Sequence, residues 1–194
     1  MWDHDSRRGG NPGLIRTTGL DKGIVRPLQQ LLALPLTGVA AAVGEIEVLL
    51  KRARAAGAPV IHVQHKGKPG GAFDLDDERG RIMRELAPEC AEPVVQKPLP
   101  NAFAQTDFAE KLEAAGRKQL IVTGFMTHMC VSSTARAALD HGYRVTIPAS
   151  TVATRDLPAP DGATMKAEDI TRYALTELAD RFAIIAKDAA AIPD

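Results

Sequence analysis

A thiol, an amine and two imidazoles are the groups in this chain whose types and spacing suggest chemistry. Cys130 lies in TGFMTHMCVSSTARAALDHGY (123–143), where the apolar Leu120-Ile121-Val122 gives way to a run of small residues. The first part reads as a buried strand. In the second, Val131, Thr134, Ala135, Ala138 and Leu139 recur at helical spacing, and Gly142 is placed to end the helix. A helix starting near Thr127, with that hydroxyl as N-cap, puts Cys130 in the first turn. There, unpaired amides and the positive end of the helix favour a thiolate. The same amides could receive the oxyanion formed when sulfur attacks a carbonyl. A nearby lysine such as Lys97 would favour the thiolate further. The chemistry indicated is acyl transfer through a thioester, with water as the final acceptor. The other reading of Cys130 is a small buried apolar residue.

Such a site needs elements to hold it. Residues 37–56 carry an apolar stripe (Val39, Val43, Ile46, Leu49, Leu50, Ala53) beside Glu45, Glu47, Lys51 and Arg52, the pattern of an amphipathic helix ended by Gly57 and Pro59. PVIHVQH (59–65) reads as a strand, followed by the glycine-rich loop KGKPGG (66–71). A short helix is expected over 77–86, a strand at 93–97 and a helix over 107–116. After the Cys130 helix come YRVTIPA (143–149), a helix over 167–180 and a last strand, FAIIAK (182–187). Apolar strands alternating with helices imply a three-layer α/β/α fold around a parallel sheet. Residues 1–22 show no period and read as a loose N-terminal arm; 23–194 read as one domain. In such folds ligands sit beyond the carboxyl ends of the strands. His65, Lys97, Cys130 and Ser150 all fall at such ends.

Composition narrows the partners. Lysine plus arginine equals aspartate plus glutamate at 24 each, so no net charge draws the chain to nucleic acid or a membrane surface. Aromatic residues are too few for a base-stacking surface. No apolar run approaches the roughly 20 residues of a membrane span. The polar start, MWDHDSRRGGNPG, has no apolar signal core, so a cytoplasmic location is expected, with Cys90 and Cys130 as free thiols.

VTGFMTHMCVSSTARAALDHGYRVTIPAS (122–150) resembles the signature of the isochorismatase-like cysteine hydrolases, through Gly124, Thr127, Cys130, Val131, Thr134, Ala138, Gly142 and Tyr143. QKPLPNAFAQTDFAEKLEAAGRKQLIVTG (96–124) is similar to the family's lysine–Ala-Phe–Thr segment, with Lys97, Ala102, Phe103 and Thr106 in place, and AGAPVIHVQH to its second strand. The likeness runs from about residue 36 to 187. It implies a mostly parallel six-stranded sheet in three layers, a homodimer or homotetramer, and a small-molecule substrate among amides or isochorismate. It also implies Cys130 as nucleophile, Lys97 as its cationic partner, a cis peptide joining Phe125 to Met126, and an oxyanion hole from the Met126 and Cys130 amides. Phe103, His65 and His128 become candidate pocket residues. Retention of the cysteine favours amide over vinyl-ether hydrolysis, which in the family does not require that thiol.

The resemblance breaks at the first strand, where the family places a catalytic aspartate. In GIVRPLQQLLALPLTG (23–38), aligning the glutamine on Gln29 puts Pro27 at that position. Asp3, Asp5 and Asp21 are the carboxylates upstream of it. Without that carboxylate the thiol must rely on the helix, Lys97 and His65 or His128. An alternative reading therefore stands: a weak or inactive family member that binds a small ligand. No metal site is expected, because strand alternation sends His62 and His65 to opposite faces and no third histidine follows. No cofactor is called for. His141 is expected to complete a helix end, and Asp156 and Asp161 to serve turns.

Overall fold

The computed structural model describes residues 23–27 (as backbone), 36–89 and 92–193. The proposed arm, 1–22, and Cys90 lie outside the described residues. In chain order the elements are β1 Gly23–Pro27, β2 Leu36–Thr37, α1 Val39–Ala55, β3 Val60–His65, β4 Val94–Lys97, α2 Phe108–Ala114, β5 Gln119–Val122 and β6 Gly124–Phe125. After a π-helical turn, Thr127–Val131, follow α3 Ser132–Asp140, β7 Arg144–Pro148, β8 Val152–Arg155, β9 Leu157–Pro158, β10 Thr164–Met165, α4 Ala167–Arg181 and β11 Ala183–Ala186.

Six strands form one sheet in the order β11-β7-β5-β1-β3-β4, and every neighbouring pair is parallel. From β1 the order runs outward first to β3 and β4 and then, on the other side, to β5, β7 and β11. The reversal lies between β1 and β5, which is where doubly wound sheets open a crevice beyond their carboxyl ends. β3 is buried on both faces along most of its length, as a parallel strand covered by two layers should be. Ile61, Val63, Val95, Leu120 and Val122 pack against α2, α3 and α4 through Leu112, Ala135, Ala138, Leu175 and Leu178. Val60 and Ile121 face the other way, onto Leu49, Leu50 and Ala53 of α1 and onto Ala189 and Ile192. The result is three layers with α1 alone on one side.

Most of the expected elements are present, and the departures have local causes. The helix expected from Thr37 begins at Val39, because Gly38 takes a left-handed conformation (φ 78°) and Thr37 pairs with Thr154 in β8. The helix expected over 77–86 is instead two short 3-10 turns, Glu78–Gly80 and Arg84–Leu86. Gly80 breaks it: a Cβ there would stand 2.0 Å from the Asp74 carbonyl oxygen, and the Gln64 side chain donates to the Gly80 carbonyl at 2.7 Å. A second sheet, β2-β8-β6, and the β9–β10 hairpin had no sequence signal, since four of these five strands have only two residues, too few to show alternation. Among the described residues no helix is long and apolar enough to cross a membrane.

Candidate active site

Lys97 is the last residue of the edge strand β4, where alternation turns Val95 and Lys97 inward and Val94 and Gln96 outward. Its side chain is 0% exposed. The strand register sets His65, the last residue of β3, directly beside it. Both therefore project from the face that packs on α2 and α3, and the helix carrying Cys130 closes over them.

The Lys97 ammonium donates to three acceptors: the Leu99 carbonyl at 3.0 Å, Cys130 Sγ at 3.2 Å and His65 Nδ1 at 3.3 Å. Cys130 is 6% exposed. Burial, reinforced by the Lys97 charge, lowers the His65 pKa to about 4. The imidazole is thus neutral near pH 7, and its Nδ1, facing an ammonium, is an acceptor with the proton on Nε2. Among the described residues, no carboxylate is hydrogen-bonded to Lys97 or Cys130.

Cys130 sits on the π turn, not on a helix capped by Thr127. The N-cap position is Met126, whose carbonyl accepts from the Met129 amide at 3.1 Å and the Val131 amide at 3.3 Å. The Thr127 hydroxyl instead turns toward that of Thr171, at 3.5 Å. A residue pushed one step further around the turn, from i+4 to i+5, accounts for the change. Cys130 remains within the first turn, and α3 continues from Ser132. The peptide between Phe125 and Met126 is cis, as the resemblance implied.

The loop from β4 to α2 is tied to the Cys130 helix by the Ala102 amide, which donates to Thr134 Oγ1 at 3.2 Å. Thr106 Oγ1 donates to the Ala102 carbonyl and accepts from the Phe108 amide. These bonds give Ala102, Thr106 and Thr134 their place in the pattern: they fix the loop that follows Lys97.

The remaining candidates are dispersed. The Phe103 ring stacks on His141 (4.3 Å between centroids, 9° between planes) and meets Phe108 edge-on, the surroundings of a core-edge aromatic. His141 is the C-cap of α3. His128 Nδ1 shares a 2.6 Å hydrogen bond with Thr154 Oγ1; burial first, then the Arg155 charge, lower its pKa. Ser150 is drawn away from the site: its hydroxyl donates to Glu45 of α1 at 2.8 Å, because β7 lies on the far side of β5. His62 points to the opposite face from His65 and bonds Glu92 at 2.8 Å, beside Arg54. Asp156 does more than serve a turn: its Oδ1 accepts from the Ala167 amide at the start of α4. Among the described residues no group of three or more His, Cys, Asp or Glu side chains converges as a metal site would need.

Sequence reasoning missed two partners of the site. The Leu99 carbonyl carries no side-chain signal. Phe73, edge-on to His65 with centroids 4.9 Å apart, lies in a loop with no period to place it.

The isochorismatase domain model matches residues 29–189. The chain belongs to the isochorismatase family. It is 38% identical over 151 residues to the secreted isochorismatase effector of Verticillium dahliae, covering 77% of this chain and 76% of that protein. Against a streptothricin hydrolase of Streptomyces noursei it is 41% identical over 148 residues, covering 75% of this chain and 58% of that protein. The crystal structure of an isochorismatase from Pseudomonas putida KT2440 superposes with a TM-score of 0.84 at 38% identity, over 90% of this chain and 92% of that one. The isochorismatase-family fold is therefore shared, and one of these relatives is named as a hydrolase.

Proposed function

We propose that this chain hydrolyses a C–N bond in a small-molecule amide through a thioester on Cys130. The observation that carries the reading is the buried 3.2 Å contact between the Lys97 ammonium and the Cys130 sulfur, at the carboxyl ends of a doubly wound sheet. A buried ammonium held otherwise by two neutral acceptors stabilises negative charge on that sulfur. The streptothricin hydrolase relative supports hydrolytic chemistry.

The proposed cycle starts from a Cys130 thiolate paired with the Lys97 ammonium; the thiolate attacks the amide carbon and the carbonyl oxygen becomes an oxyanion, received by the amides of Met126 and Cys130. Lys97 gives a proton to the departing nitrogen as the C–N bond breaks, leaving a thioester and a neutral Lys97 amine. Water then adds to the thioester carbon and yields its proton to that amine. Collapse of this second intermediate breaks the C–S bond, releases the carboxylic acid and restores the charged pair.

Cys130→Ala should abolish turnover of any amide the wild type cleaves, and mass spectrometry of quenched reactions should find the acyl group on the Cys130 peptide. Unchanged turnover in the variant would reject the reading. A second reading, a ligand-binding protein of low activity, is favoured by one observation. β1 ends in Pro27 between β3 and β5, and Lys97 has no carboxylate partner among the described residues. Raised melting temperature with a nicotinamide, carbamoyl or ureido compound, with no turnover of it, would favour that second reading.

A further inference from the structure

The Lys97 ammonium has three N–H groups, and the three acceptors around it account for all of them. Two of those acceptors are set apart: the Leu99 carbonyl is a backbone group two residues along the same chain, and the sulfur is the proposed reacting atom. The third is a side chain, brought in by a neighbouring strand. We propose that His65 is a positioning residue for the Lys97–Cys130 pair: its Nδ1 holds one ammonium N–H and thereby aims another at the sulfur. This rests on the reading of Cys130 as the nucleophile.

The imidazole suits the task better than a carboxylate in one respect. As a neutral acceptor it orients the ammonium without cancelling its charge, which stays available to the sulfur and to the oxyanion. The lowered His65 pKa, about 4, agrees with a ring that keeps Nδ1 unprotonated near neutrality.

The ring is itself held from two sides. The β3–β4 register pairs His65 with Lys97, and the Lys66 amide donates to the Lys97 carbonyl at 2.8 Å, so the two backbones cannot slide. On its other side the ring meets the edge of Phe73. Phe73 is locked to the glycine-rich loop: the Gly67 amide donates to its carbonyl at 2.8 Å, and a Cβ on Gly67 would stand 2.9 Å from the Phe73 Cβ. The KGKPGG loop thus has a function in this scheme. Its glycine lets the backbone close on Phe73, and Phe73 buttresses the imidazole.

The test compares His65→Leu, which removes the acceptor, with His65→Asn, whose side-chain oxygen replaces Nδ1. The readout is the rate at which iodoacetamide alkylates Cys130 in the full-length protein at neutral pH. Mass mapping of the Cys130 peptide keeps Cys90 out of the measurement. Alkylation should slow about ten-fold in His65→Leu and recover to within about three-fold of wild type in His65→Asn. A residue that merely fills space would give equal rates in both variants. On any amide substrate found, kcat should fall in His65→Leu with KM within about two-fold. Wild-type alkylation in His65→Leu, or no recovery in His65→Asn, overturns the proposal. If His65→Leu does not fold, Gly67→Ala carries the test, since it displaces Phe73 and leaves every polar group of the site in place. It should slow alkylation in the same direction, and an unchanged rate overturns the proposal. Because alkylation needs no substrate, a protein that cleaves no amide but shows the predicted pattern would sink the amide-hydrolase reading alone.

Discussion

Lys97 is the residue on which the site turns. A wholly inaccessible lysine is uncommon, because removing an ammonium from water is costly unless its hydrogen bonds are replaced. Here all three are replaced, and by groups that bear no formal charge unless the thiol ionises. Replacing it with an apolar residue of similar length should separate stability from activity. Lys97→Met should keep the melting temperature close to that of the wild type, because the desolvation cost of a buried ammonium disappears while the Leu99 carbonyl and His65 Nδ1 lose their donor. Turnover should drop by about 10²- to 10⁴-fold, since the proposed cycle relies on that group to stabilise the sulfur and protonate the leaving nitrogen. A melting curve and an amide assay on the same preparation decide both halves. Cys130 and Lys97 were legible before the structure because a thiol at a strand-to-helix junction and an amine at a strand end each have a chemical reason to be there. Phe103 was not: an aromatic ring serves equally as pocket wall or core, and its stack on His141 is visible only in three dimensions.

At the scale of elements, the segment between β3 and β4 is held by backbone contacts too close to admit a side chain. Gly80 lies against Asp74, and Gln64 of β3 clasps its carbonyl. Gly80→Ala should therefore cost about 1–3 kcal/mol in urea unfolding, the usual penalty for forcing atoms into packed space. Protease nicking within residues 66–89 should rise in the same variant. An alanine variant as stable and as resistant as wild type would show that the turn shifts without penalty. Glycine in KGKPGG was readable as a loop signal, but the breaking of the expected 77–86 helix was not. The sequence there has the charges of a helix, and the tertiary contact to Asp74 decides against it. The long helices α1 and α4 were legible because their buried residues repeat at three and four, as in Ala42, Val43, Ile46, Leu49, Leu50 and Ala53. β2, β6 and β8 form through pairing with each other, which local pattern does not encode.

For the molecule as a whole, His65 and Glu92 are among the groups that make the fold sensitive to acid. His65 is held at about 4, below its ordinary 6.5, so between those values the unfolded chain binds more protons and unfolding gains as pH falls. Burial alone would raise the Glu92 carboxyl, but hydrogen bonds from Arg54, the Glu89 amide and His62 outweigh it and hold it at about 2. Its contribution is complete above about 4.5 and is lost as pH falls toward 2. Both signs agree, so the urea midpoint should fall steadily from pH 6.5 to 4 and further below. His65→Asn should flatten the upper part of that fall, and a midpoint constant between pH 7 and 4 would contradict the assignment. The strand order carries one more consequence. Among the described residues, the pair β3–β4, which presents the imidazole and the amine, shares no ladder with β5–β7–β11, which leads to the thiol; five residues of backbone in β1 join the two halves. That short ribbon is the keystone of an arch whose two feet carry the Lys97 amine and the Cys130 sulfur. With that keystone loosened, the shared apolar core and the Ala102–Thr134 hydrogen bond would be what still holds the amine to the sulfur.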